Sequence, residues 1–70
     1  MDNRIRAERE ARGWTQAALG ARLDVSRQTI VALETGRYDP SLPLAFRISE
    51  LFAMPIEQLF FPAHSNTRVG

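Results

Sequence analysis

The chain has 70 residues, nine basic and eight acidic side chains, a net charge of +1 and no cysteine. That length makes one small domain near the lower limit for an unstapled core, and the missing thiols exclude disulfides and thiolate metal sites. No apolar run approaches a membrane span and Met1-Asp2-Asn3 opens no signal peptide, so a soluble, cytoplasmic protein is expected.

All nine basic residues are arginines, and they are unevenly placed. Residues 1–37 hold seven against five acids, residues 38–70 two against three. A basic first half suits a nucleic-acid face. It suits a solvated surface with ordinary ion pairs nearly as well, so charge does not decide.

Asn3 to Arg12 reads as a polar first helix, with Ile5 and the Ala7/Ala11 pair as its apolar contribution. Glu8 stands one turn after Ile5, where a core-facing helix usually carries an aliphatic residue. Arg4 and Arg12, each four residues away, are within reach of its carboxylate. Gly13 ends this helix. Trp14 follows as a lid on the core, its indole N–H seeking a carbonyl or water, and Thr15 is the natural N-cap of the next helix.

Gln16 to Gly36 is the stretch around which the rest is organised. Two apolar-periodic runs, Ala17 to Leu23 and Thr29 to Leu33, are split by Asp24-Val25-Ser26. Ala17, Leu19, Gly20 and Leu23 are expected on one face of the first helix, and Ile30, Leu33 and Glu34 at helical spacing on the second. Ser26 is placed to cap the second helix and Gly36 to end it in a left-handed conformation. So short a linker forces the helices to cross steeply. Gly20, which costs a helix roughly 1 kcal/mol against alanine, marks where they approach. These features describe a helix-turn-helix.

Arg37-Tyr38-Asp39-Pro40 then forms a loop. Ser41 caps a fourth helix with Pro43 in its first turn. Leu44, Ala45, Ile48, Leu51 and Phe52 make its buried stripe, flanked by partly covered Leu42 and Phe46. Ala53-Met54-Pro55 breaks it, and Ile56 to Phe60 reads as a last short helix with Ile56, Leu59 and Phe60 turned to the core. The structured domain is expected over 1–61. Residues 62–70 form a tail, disordered or a short strand that needs a partner.

Arg9, Gly13, Thr15-Gln16, Ala17, Leu19, Leu23, Val25-Ser26-Arg27-Gln28-Thr29-Ile30, Leu33-Glu34, Gly36, Arg37-Tyr38, Pro40-Ser41-Leu42 and Pro55-Ile56-Glu57-Gln58-Leu59-Phe60 stand at the spacing of a known family. From Ile5 to Phe61 the chain resembles the phage-repressor/Cro-like (xenobiotic-response-element) helix-turn-helix family, and within it the small stand-alone bacterial regulators. Three positions depart from the family's habit: Asp24 for glycine at the turn, Gly20 for alanine, and Glu8 for an aliphatic residue. The resemblance implies an all-α, compact five-helix repressor-like domain with its helix-turn-helix at 16–36, and a short C-terminal strand or disordered tail beyond.

It also implies site residues. The helix from Arg27 to Thr35 would lie in the major groove, with Arg27, Gln28 and Thr29 reading base edges and Ala32 adding an apolar contact. Gln16, Ser26, Arg37 and Tyr38 would hold phosphates; for Tyr38 a half-buried ring packed on the loop is an equal alternative, and Arg22 belongs to the surface. Arg9 and Glu34 would form a structural ion pair that sets the angle of the recognition helix. A homodimer would use Phe46, Ile56, Leu59, Phe60 and Phe61, unless those side chains simply close the monomer core.

The expected function is therefore a sequence-specific regulator of transcription that binds double-stranded DNA, a repressor rather than an activator, on a palindromic operator. The alternatives are the antitoxin of a toxin–antitoxin pair, with a toxin as protein partner, or a protein-interaction module that does not bind DNA. No cofactor or metal is implied. An enzyme is not supported: His64 is the lone histidine, and Asp39 and Glu57 are isolated carboxylates in the sequence.

Overall fold

The computed structural model describes residues 2–61. In chain order they form β1 (Asp2–Asn3), α1 (Ile5–Ala11), α2 (Gln16–Leu23), α3 (Arg27–Glu34), α4 (Leu42–Phe52), α5 (Ile56–Leu59) and β2 (Phe60–Phe61). The five helices are those expected; the expected tail at 62–70, with His64, lies outside the described residues. The two strands pair antiparallel, Asp2 opposite Phe61 and Asn3 opposite Phe60, which joins the two ends of the domain.

Side-chain chemistry sets the helix starts. Thr15 Oγ1 accepts the Ala18 N–H, Ser26 Oγ the Thr29 N–H and Ser41 Oγ the Leu44 N–H, each satisfying an orphan donor of a first turn. The first helix begins at Ile5 rather than Asn3. Asn3 belongs to β1, and its Oδ1 accepts the Ile5 N–H at 3.1 Å.

The first four helices share one kind of ending. Gly13, Asp24, Gly36 and Ala53 all have positive φ. The N–H of each reaches the carbonyl three residues back, and the next residue's N–H reaches five back, as in Trp14 to Arg9 and Arg37 to Ala32. This is the Schellman motif, and it uses up carbonyls that a helix end leaves unpaired. Asp24 thus fills the left-handed turn position at φ 60° without a glycine.

Among the described residues, eleven make the core: Ile5, Leu19, Leu23, Ile30, Leu33, Leu44, Ala45, Ile48, Phe52, Leu59 and Phe60. Leu51, expected among them, is half-buried at the edge with Trp14, Val25, Met54 and Ile56. Phe60 contributes to the core from β2 rather than from a helix. Ala17 is exposed while Leu19, Gly20 and Leu23 are buried. Residues two apart on a helix stand about 200° apart, so Ala17 cannot share the face of Leu19. The same geometry exposes Ala7 and Ala11 and turns Arg9 inward beside Ile5. Leu42 and Phe46, expected to be partly covered, are 65% and 54% exposed.

Two contacts fix how the helices sit. A methyl group on Gly20 would lie 2.7 Å from the Val25 carbonyl oxygen, so α2 and the turn are in backbone contact there. Trp14 stacks on Phe52 with ring centroids 6.0 Å apart. The Arg12 guanidinium lies 4.7 Å from the Phe52 ring centre, and Arg22 lies 4.2 Å from that of Trp14. Each places a cation over a ring face, an attraction added to the area the rings bury.

Candidate nucleic-acid interface

The start of α3 is exposed because its buried stripe begins only at Ile30. Arg27 and Gln28 therefore project from the surface, while Thr29 and Ala32 are half-buried beside them. Ser26 does two things at once. Its Oγ accepts the Thr29 N–H at 3.1 Å and lies 3.0 Å from Thr29 Oγ1, in a hydroxyl pair that restrains the Thr29 side chain. An open depression of about 300 Å³ is lined by Ser26, Gln28, Thr29, Ala32 and Tyr38. The structure thus brings three of the expected base readers together with two of the expected phosphate ligands. Tyr38 is 42% exposed. Arg37 is exposed on the same loop, and its own N–H is spent on ending α3.

At the C-terminal end of α3, Arg9 and Glu34 meet. Arg9 Nε donates to Glu34 Oε2 at 2.6 Å and Nη2 to Oε1 at 3.2 Å, a two-pronged contact. The side chains are 11% and 4% exposed. Arg9 Nη1 also donates to the Trp14 carbonyl at 2.9 Å. Gln16 Nε2 donates to Glu34 Oε1 at 3.2 Å, so the side-chain amide expected at a phosphate is tied to the ion pair. Hydrogen bonding to Glu34 raises the Arg9 pKa beyond the ordinary arginine value and keeps the guanidinium charged despite burial. These groups border a second open depression of about 540 Å³ at the first turn of α2.

Glu8 sits between Arg4 and Arg12, both four residues away, at 3.3 and 2.9 Å. The hydrogen bond from Arg12 holds its carboxyl below the usual range, with a smaller lowering from Arg4. Of the side chains expected at a dimer interface, Leu59 and Phe60 are 0% and 8% exposed. They close the monomer core. Phe46 at 54% and Phe61 at 37% remain exposed, with Ile56 half-buried. Among the described residues, no group of three His, Cys, Asp or Glu side chains is placed to hold a metal, and no helix is long and apolar enough to cross a membrane.

Residues 5–59, most of the chain, match the helix-turn-helix family. The chain belongs to the Cro/C1-type helix-turn-helix family. It is 48% identical over 60 residues to an uncharacterized HTH-type transcriptional regulator of Methanocaldococcus jannaschii, covering 86% of this chain and 91% of the relative. A second such protein, from Methanothermobacter thermautotrophicus, is 49% identical over 61 residues, 86% and 88% of the two chains. A third, from Bacillus subtilis, is 39% identical over 66 residues, 94% and 100% of the two chains. The relatives are archaeal as well as bacterial, which is wider than the bacterial setting expected. Membership of the Cro/C1-type family makes the chain a DNA-binding regulator and not an enzyme.

Sequence reasoning missed two long-range side-chain tethers of this Cro/C1-type domain. Asn3 Nδ2 donates to the Leu33 carbonyl at 2.7 Å, near the end of α3. Arg12, foreseen only as a partner of Glu8, also donates to the Phe52 carbonyl at 3.1 Å and so caps the end of α4. Neither has a local signal, because each partner lies 30 or 40 residues away.

Proposed function

We propose that the protein represses transcription by occupying a palindromic operator as a homodimer, with α3 of each copy in a major groove. What carries this reading is the exposed start of α3. Arg27 and Gln28 project from it, and Thr29, Ala32 and Tyr38 line one depression beside them. Arginine suits a bidentate contact to guanine, glutamine one to adenine, and the methyls of Thr29 and Ala32 suit thymine. Arg37, Tyr38, the N–H groups at the start of α2 and the Ser26 end of α3 flank that surface as phosphate ligands.

One eight-residue helix spans only a few base pairs, so specificity calls for two copies with half-sites about 10 bp apart. Phe46 and Phe61, with Leu42 beside Phe46 on α4, supply exposed apolar surface for the second copy. Repression needs no more than occupancy.

The test is a binding selection from a random duplex pool at physiological salt. Enrichment of a palindrome with half-sites one turn apart is expected. A pool that stays random, with only weak salt-sensitive binding, would refute operator reading and turn attention to a protein partner such as a toxin. Sedimentation showing a monomer at high micromolar concentration would refute the dimer.

A further inference from the structure

The geometry points to Asn3 as a positioning residue for base reading, through which the terminal sheet sets the pose of the recognition helix. Asn3 lies in β1 opposite Phe60, and the backbone link continues as the Arg4 N–H reaches the Leu59 carbonyl at 2.9 Å. From that anchored backbone its side chain reaches two helices. Oδ1 accepts the Ile5 N–H at the start of α1, and Nδ2 donates to the Leu33 carbonyl at 2.7 Å. Leu33 is fully buried, and its carbonyl also accepts the Gly36 N–H within the Schellman ending of α3.

The last turn of α3 is therefore held at two neighbouring residues by different means. Glu34 is gripped through its carboxylate by Arg9 and Gln16, and Leu33 through its backbone by Asn3. A carboxylate on a flexible side chain permits α3 to roll about that point. A second bond, made to the backbone itself, removes the roll. Side-chain tips lie 5–6 Å from a helix axis, so a roll of about 10° carries them about 1 Å. Hydrogen-bond tolerance at a base edge is narrower than that. Losing the Asn3 bond thus degrades base readout while leaving the charge that attracts phosphates unchanged.

The inference rests on α3 being the base-reading helix, and the experiment separates the two. The full chain is first put through the duplex selection, and its affinity for the enriched duplex and for a scrambled one is measured. Asn3→Ser keeps an oxygen to cap Ile5 but cannot reach Leu33. Ile5→Val is the control that weakens the core and leaves the Asn3 bond in place. Folding of each variant is followed by circular dichroism.

Asn3→Ser is expected to lose about tenfold in affinity for the enriched duplex, comparable to one well-aligned base contact, with scrambled-duplex binding unchanged. Ile5→Val is expected to retain the specific affinity. Equal specific affinity in folded Asn3→Ser would overturn the assignment, and so would a loss shared by Ile5→Val in step with melting temperature. If Asn3→Ser does not fold, Asn3→Thr, which keeps a hydroxyl oxygen for the cap, adds no charge and is likewise too short to reach Leu33, is judged by the same two affinities. Failure of both variants to fold would make Asn3 a residue of the fold alone and overturn its reading role. A wild-type chain that enriches no duplex removes the base-reading premise, and the Asn3 role falls with it before any variant is made.

Discussion

Replacing Glu34 by alanine removes one half of a nearly water-free ion pair. Its partner Arg9, 11% exposed, would keep the Trp14 carbonyl at 2.9 Å and a distant carboxylate, Glu10 at 3.9 Å. Stranding one charge of a buried pair costs about 3–5 kcal/mol. Here the open depression beside Arg9 admits some water, so a loss of about 3 kcal/mol is expected, at the low end of that range. A domain of this size has roughly 3–10 kcal/mol of stability in total. The melting temperature should therefore fall by roughly 12–24 °C, at about 4–8 °C per kcal/mol. Circular dichroism on thermal and urea denaturation measures this without relying on Trp14, which touches the pair. Arg9→Met with Glu34→Leu removes both charges and should lose less than Glu34→Leu alone; with the Arg9→Met and Glu34→Leu single variants it completes a double-mutant cycle, with an expected coupling of about 2–3 kcal/mol. A Glu34→Ala melting point within about 4 °C of wild type would place the pair among solvated surface bridges and refute the reasoning.

Three more outcomes are expected. Arg27→Ala should weaken the selected duplex by about 5- to 150-fold and relax one position of its consensus, whereas Arg37→Ala should weaken all duplexes alike and reduce the salt slope by about one; fluorescence anisotropy across a salt series distinguishes them. Ala53 has φ 57° at the end of α4, a conformation that costs a side chain about 1–2 kcal/mol, so Ala53→Gly should raise stability by up to about 1 kcal/mol after the glycine's unfolded-state entropy; a lower midpoint in urea would contradict this. The carboxyl of Glu8 is depressed by Arg12, so its contribution is present above the ordinary value of 4.5 and lost as pH falls through the depressed one. Glu8→Gln should be less stable than wild type at neutral pH, and the gap should narrow as pH falls and the carboxyl takes up its proton; a gap that stays constant into acid would mean that packing, not charge, is lost.

Much of the fold is legible because its signals are local. Thr15, Ser26 and Ser41 cap helices through bonds spanning three residues, and the turns at Gly13 and Gly36 end them with bonds spanning three and five. Ile30, Leu33 and the α4 stripe follow helical periodicity. The misjudged positions are those where apolar identity was read in place of angle: Ala7, Ala11 and Ala17 are small and hydrophobic but point outward. Arg9 is the opposite case, a charge turned inward because Glu34 awaits it. Strands of two residues have no periodicity to detect, so neither β1 nor the strand conformation of Phe60 was foreseeable. On the candidate interface, the polar start of α3 is evident from sequence. The tether of Gln16 to Glu34 and that of Asn3 to Leu33 are not, since each depends on tertiary proximity across 18 and 30 residues.

Pairing β1 with β2 closes a ring around almost the whole domain, and this governs the order in which the chain assembles. Closing a loop of nearly 60 residues costs about 3.6 kcal/mol of chain entropy before a two-residue ladder returns anything. The ladder can form only after the helices have packed and brought the ends together. Substitutions at Asp2 or Phe61 should leave the refolding rate almost untouched and speed unfolding, giving φ-values near zero in stopped-flow measurements. The closing stitch of this domain acts as a latch on its lifetime, set by the last residues to arrive.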